Sequence, residues 1–387
     1  MSWFRDAIVY HLLIDRFAGY DRKIDPEKPV FLGGNLTGIA ERISYLVELG
    51  INTIWLSPVF ATTAYHGYHI TDYYTTDKRF GSENDLRKLV ELAHQHSIRV
   101  ILDFVPNHCS RKHPLFQQAL RDKKNKYRKW FYFNPFTNNY LSFLHFSDLP
   151  KINLDFPDAR KHIIGAAKHW ITMGIDGFRL DHAIGSSHDF WKAFHKEIKS
   201  VNPEAVLIGE AWLEGIGFRN LKTIRIRHKY IRWLLKFKPG DIQAEYMGEF
   251  DGVLDFYFRH RITEYIAWKN NPEHFKNRLR LLMKHHYDRF PDGYYLPSFI
   301  DNHDMNRFLF DAGQHRDKLL SALNFQFSLP QPPILYYGTE CGMTHYKPVH
   351  WDVPYSDIQV RQPMPWDALD YELIDYCKGL IRKRLKK

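Results

Sequence analysis

The chain has 387 residues, 44% of them hydrophobic and 16% aromatic, and carries a formal net charge of +10. This composition excludes a disordered or fibrous polypeptide and allows one large globular domain or two. No apolar run reaches the ~18 residues of a membrane-spanning helix, and the opening MSWFRDAIVYHLLIDRF lacks the basic, apolar and small-residue succession of a secretory leader.

Taken in chain order, short apolar runs alternate with helical patterns. The runs cover 7–14, 52–58, 99–106, 175–181, 205–211, 251–258, 295–301 and 332–338. Each is short, rich in Ile, Val, Leu and Tyr, and bounded by Gly, Pro, Asn or Asp, which predicts buried strands. Helices are expected over 35–50, closed by Gly50, and over 82–97, opened by Ser82 with Asp85 three residues on. Others are expected over 157–174, with Pro157 near the start and Gly174 at the end, and over 315–330 and 371–385. Strands alternating with helices imply parallel pairing with right-handed crossovers. Eight such units predict an α/β fold, a (β/α)8 TIM barrel built from 1–106 and 157–387. The aromatic-rich stretch 107–156 is then a small subdomain inserted after strand 3.

The basic runs 121–129, 224–238 and 382–387 come without a nucleic-acid motif. They read as solvated helix faces, so neither a nucleic-acid nor a membrane partner is expected. Cys109, Cys341 and Cys377 are far apart and form no CxxC pair, which argues against a disulfide framework or a zinc cluster. The expected setting is cytoplasmic.

Polar residues gather at the strand ends. Strand 3 ends in Asp103, Asn107 and His108; strand 4 in Arg179, Asp181 and His182; strand 5 in Glu210; strand 7 in Asp301, His303 and Asp304. Side chains at i and i+2 of a strand share a face, so Arg179 and Asp181 lie together, and the guanidinium favours an ionised Asp181. In a (β/α)8 barrel the C-terminal strand ends form the active-site face. Several carboxylates around a neutral substrate suit glycoside hydrolysis, in which one acid attacks while ionised and another protonates the leaving oxygen. Asp181 suits the first task. Glu210, with no basic neighbour in sequence, suits the second.

The segments DFVPNH (103–108), GFRLDHA (177–183), IGEAW (208–212) and FIDNHD (299–304) resemble, in order, the four motifs of the α-amylase family of retaining glycoside hydrolases. LPKINLD (149–155), YYGTECGM (336–343) and RQPMPWD (361–367) are similar to its secondary motifs, and 107–156 resembles its domain B. The resemblance implies Asp181 as nucleophile, Glu210 as general acid/base and Asp304 as a third carboxylate on sugar hydroxyls. It implies that Arg179 orients Asp181, that His108 and His303 bond sugar hydroxyls, that Tyr68 stacks on the sugar, and that Arg307 reaches a more distant one. Asp103 and Asn107 are expected to be structural. Calcium-dependent members often have a His four residues after the nucleophile, where this chain has Gly185. The loop with Asp21 and Asp25 lacks a regular acidic alternation. No cofactor is therefore expected, and calcium is not favoured. The expected partner is an oligosaccharide or polysaccharide α-glucan. The sequence ends near the eighth helix, so no C-terminal β-sandwich is expected, and a second copy of the chain is the candidate to cover that face. Transfer to a sugar acceptor, as in a 4-α-glucanotransferase, and a non-catalytic binding or assembly role remain as alternatives.

Overall fold

The computed structural model describes residues 2–213, 216–236, 239–269, 272–350 and 353–386. The last two residues of the basic run 224–238 and the last of 382–387 lie outside them. Eight short strands fall within the eight predicted runs: β1 Val9–Leu12, β2 Thr53–Leu56, β3 Arg99–Phe104, β4 Gly177–Leu180, β5 Val206–Gly209, β6 Gly252–Val253, β7 Ser298–Phe299 and β8 Pro333–Tyr336. Strands β1, β2, β4, β5 and β8 are buried at every position. That is how parallel strands covered on both faces read.

The chain folds as two compact units, Met1–Ser57 with Lys88–Val100 and Leu254–Lys387, and Pro58–Arg87 with Ile101–Val253. In the first, β1 runs parallel between β2 and β8, with Val9 opposite Thr53 and Ile334, and β7 joins the far side of β8 through Phe299 and Ile334. In the second, β4 lies parallel between β3 and β5, with Phe178 opposite Leu102 and Leu207, and β6 follows β5 through Gly252 and Ile208. Each unit has the strand–helix construction of a (β/α)8 barrel.

The helix signals act where the residue chemistry places them. Ser82 and Asp85 cap reciprocally: the Ser82 N–H donates to Asp85 Oδ2 at 2.8 Å and the Asp85 N–H donates to Ser82 Oγ at 3.2 Å. Gly50 and Gly174 close their helices in the left-handed region, at φ 91° and 114°. Two expectations are corrected. The run 35–50 holds two helices, Leu36–Glu41 and Ile43–Leu49, broken at Arg42. The run 251–258 is a strand only over Gly252–Val253. Its second half starts the helix Phe256–Ile262, because Asp255 Oδ1 accepts from the Phe258 N–H at 3.0 Å and caps it. An antiparallel hairpin, Phe60–Thr62 with Ile70–Thr76, was not anticipated.

The stretch 107–156 lies wholly in the second unit. It contains the helix Pro114–Arg121 and the hairpin Ser142–Phe143 with Phe146–Pro150. Its aromatics form a core of their own: Phe116 meets Phe131 and Tyr140 edge-on, each at 4.8 Å. A bridge between His108 and Lys151 closes its base.

Within the same unit the helix His188–Val201 opens with an acid–base cluster of His188, Glu245 and Glu249, which Arg232 joins through Glu245 Oε2. His188 Nε2 lies 3.0 Å from Glu245 and Nδ1 lies 2.8 Å from Glu249. Hydrogen bonds to Glu245 and Glu249 raise the His188 pKa to about 9, against the opposing effect of burial. A raised pKa means stabilisation that is complete below the ordinary value near 6.5 and lost as pH rises through about 9. The melting temperature should therefore fall between pH 6.5 and 9, and fall less steeply in His188→Gln; equal slopes in scanning calorimetry would contradict this. Asp255→Ala removes a helix cap and a partner of His286 (3.1 Å). It should lower the unfolding free energy by about 1–3 kcal/mol with an unchanged denaturant slope.

Candidate active site

The second unit contains a buried charge cluster built on one guanidinium. Arg179, on β4, is 1% exposed. Its Nη1 donates to Asp103 Oδ1 and Oδ2 at 2.9 and 3.0 Å and to Asp181 Oδ1 at 2.8 Å, while Nη2 pairs with Glu210 Oε1. β3 supplies Asp103, and Asp103 and Arg179 are register partners, so pairing of the strands sets the two side chains abreast. Asp181 and Glu210 continue this order just past β4 and β5: their N–H groups donate to Phe104 O and Leu180 O, both at 2.9 Å. Burial opposes the charge on Arg179, but Asp103, Glu210, Tyr68 and Asp181 outweigh it and push its pKa further above the ordinary value.

Glu210 has no basic neighbour in sequence, but in space Arg179 Nη2 pairs with its Oε1, and the His182 N–H donates to Oε2 at 2.8 Å. His182 adopts φ 43°, ψ 52°, a left-handed conformation rare for a residue with a side chain. The Ala183 N–H donates to Glu210 O at 3.0 Å, so two successive amides of the turn after β4 grip Glu210. Tyr68 joins the cluster through its hydroxyl, which donates to Asp103 Oδ2 at 2.8 Å. Asp103 thus links Tyr68 to Arg179 and belongs to the charge network.

His108 and His182 flank Phe143 of the inserted segment, His108 stacked at 4.6 Å and His182 edge-on at 4.6 Å. Both imidazoles are buried. Burial and neighbouring cations and imidazoles lower their pKa values well below the ordinary range, so both are neutral near pH 7. The Nε2 atoms of His108 and His182 have no hydrogen-bond partner among the described residues. A buried unpaired ring nitrogen is costly unless a ligand satisfies it. The His108 tautomer follows from its neighbour. Lys151 Nζ can only donate, and it donates to Asn107 Oδ1. The Asn107 amide therefore turns Nδ2 toward His108 Nδ1, 3.2 Å away. Nδ1 then accepts, and Nε2 carries the proton as a free donor.

The first unit positions His303, Asp304 and Arg307. His303 Nε2 lies 3.0 Å from Asp304 Oδ2, and Arg361 Nη2 donates to Asp304 Oδ1 at 2.7 Å. His11 stacks on Trp55 at 3.6 Å and meets His303 edge-on at 4.9 Å. Arg307 is 1% exposed: its guanidinium lies 4.2 Å over the Tyr336 ring and donates to Tyr337 O and Val360 O at 2.6 and 3.2 Å. The structure therefore places Arg307 in the interior, holding loops together, while Arg361 is the arginine on Asp304.

Sequence reasoning passed over Arg361, Phe143 and Lys151. A signal existed for Lys151, a lone cation between the buried Leu149 and Ile152. For Arg361 and Phe143 nothing local marks the partner. Asp21 and Asp25 accept from the N–H groups of Lys23 and Glu27 in exposed turns. Among the described residues no group of three or more His, Cys, Asp or Glu side chains is arranged to hold a metal ion, and no helix is long and apolar enough to cross a membrane. The three cysteines are free and buried.

Comparison with known proteins adds to this geometry. The family model described as "Alpha amylase, catalytic domain" matches residues 11–217 and 240–372. Alpha-amylase 2 of Dictyoglomus thermophilum is 39% identical over 388 residues, 99% of this chain and 63% of that protein. A cyclomaltodextrinase of Thermoanaerobacter pseudethanolicus is 34% identical over 405 residues, 99% of this chain and 64% of that protein. Among solved structures, a cyclomaltodextrinase superposes with a TM-score of 0.83 at 30% identity, covering 100% of this chain and 64% of the other. The chain thus spans somewhat less than two thirds of these relatives.

Tyr68→Phe removes one donor from Asp103 and keeps the ring. It should cost about 1 kcal/mol of stability by denaturant titration; an unchanged midpoint would mean that water replaces the hydroxyl.

Proposed function

The chain belongs to the alpha-amylase family, with its (β/α)8 fold, and on that premise we propose that it is a retaining α-glycosidase acting on α-glucans, maltodextrins or starch-type oligosaccharides. The observation that carries this reading is the shared guanidinium. Arg179 donates to Asp181 through Nη1 and pairs with Glu210 through Nη2. Two carboxylates held by one guanidinium are close neighbours, as the acid pair of a glycosidase must be, and the retaining outcome is carried over from the family resemblance.

In this reading Asp181, held ionised by Arg179, attacks the anomeric carbon, and the bond to the leaving oxygen breaks. Glu210 gives its proton to that oxygen. Glu210, once deprotonated, takes a proton from the acceptor hydroxyl, whose oxygen displaces Asp181 from the sugar. Water as acceptor gives hydrolysis; a sugar hydroxyl gives 4-α-glucanotransfer through the same intermediate. The His108 Nε2–H and the His182 ring nitrogen suit sugar hydroxyls, being buried and unpartnered among the described residues. Tyr68 offers a ring for stacking. By resemblance, His303 and Asp304 supply further hydroxyl contacts. No metal has a place in these steps, and a cytoplasmic setting belongs to the same proposal.

The test is a product profile on maltotriose, pullulan and cyclodextrin. The α anomer should form first by proton NMR, and Asp181→Asn should lose about 10³-fold or more in kcat. A β anomer, or an active Asp181→Asn, would sink the reading. Products longer than maltotriose would assign transfer.

A further inference from the structure

Lys151 is 2% exposed, and its Nζ donates to Asn107 Oδ1 and to the main-chain carbonyl of Gly185. Neither acceptor is a carboxylate. Burying an ammonium without a paired anion is costly, and its pKa is lowered well below the ordinary value, first by burial and then by Arg225. Such a group persists where the surroundings need its hydrogen bonds.

The carbonyl it holds belongs to the turn that grips Glu210. The Gly185 N–H donates to His182 O at 2.9 Å, and the His182 N–H donates to Glu210 Oε2 at 2.8 Å. His182 is the residue in the left-handed region at φ 43°, a conformation that costs on the order of 1–3 kcal/mol and must be over-determined by its neighbours. Packing around Gly185 is equally exacting. A Cβ there would stand 2.1 Å from Asn107 Oδ1 and 2.6 Å from the His182 ring, so only glycine lets Asn107 and the turn close together.

We propose that Lys151 is a positioning residue for the acid/base step: its Nζ clamps the inserted segment to the turn 182–185 and thereby aims the His182 amide at Glu210. The proposal rests on the retaining-glycosidase reading above. It adds that the inserted segment, through one buried lysine, sets how well Glu210 delivers a proton.

Leaving-group dependence tests it. On maltotriose the departing oxygen needs the Glu210 proton; on α-maltosyl fluoride the leaving fluoride departs as an anion and needs little help. Because kcat/KM covers steps up to formation of the glycosyl–Asp181 intermediate, it isolates that difference. In Lys151→Met, kcat/KM for maltotriose should fall by ~10²-fold, the worth of a displaced general acid, while kcat/KM for the fluoride changes by only a few-fold. Gly185→Ala, which displaces the same turn from the other side, should reproduce the pattern, and it serves where Lys151→Met does not fold. Melting curves identify folded protein. Equal losses on both substrates, or no loss on either, would overturn the positioning role. A wild-type protein that cleaves neither substrate would instead overturn the glycosidase reading.

Discussion

The second unit is organised around the Arg179 guanidinium. It is nearly fully buried and bonds Asp103 and Asp181 and pairs with Glu210. Removing three carboxylates and a guanidinium from water costs several kcal/mol per ion unless each finds a partner. Strand pairing supplies the partners, because β3, β4 and β5 run parallel and in register, setting Asp103 beside Arg179 and Arg179 beside Ile208. The sheet is thus the device that brings residues of distant sequence onto one cation.

Around that centre lies a layer of main-chain and neutral donors. Two successive amides of the turn after β4 hold Glu210, and the Asn107 amide orients His108. These donors do not titrate near neutrality, so they hold geometry without adding charge. Lys151 joins them as a buried side chain that donates to a carbonyl and an amide oxygen. The inserted segment therefore supplies Phe143 between two imidazoles and the lysine that ties its own base to the turn.

Much of the fold was legible because strand and helix signals are local. Burial on both faces makes a parallel strand read as an apolar run, and all eight runs contained one. Serine, aspartate and glycine caps act through bonds three or four residues long, so Ser82, Gly50 and Gly174 could be assigned from spacing. The failures are also physical. The run VLDFYF is rich in strand-forming residues, yet Asp255 finds the Phe258 amide and starts a helix, a competition that composition does not decide. Arg307, which the resemblance sets toward a distant sugar, gives its guanidinium to the Tyr337 and Val360 carbonyls, and Arg361 approaches Asp304 from a segment 57 residues away.

The amino-acid sequence alone determined which eight runs carry the parallel strands, where Ser82, Gly50 and Gly174 cap their helices, which acids stand at strand ends, and that Arg179 and Asp181 share a face. Those follow from periodicity and nearest-neighbour chemistry. Only the tertiary structure decided that Glu210 has a cation after all, that His182 gives Glu210 an amide, and that Lys151 reaches Asn107 and Gly185. The latter three hydrogen bonds join residues 28, 44 and 34 positions apart. Such partners are chosen by the register of packed strands and the path of an inserted segment, and no local pattern encodes which distant charge a buried side chain will meet.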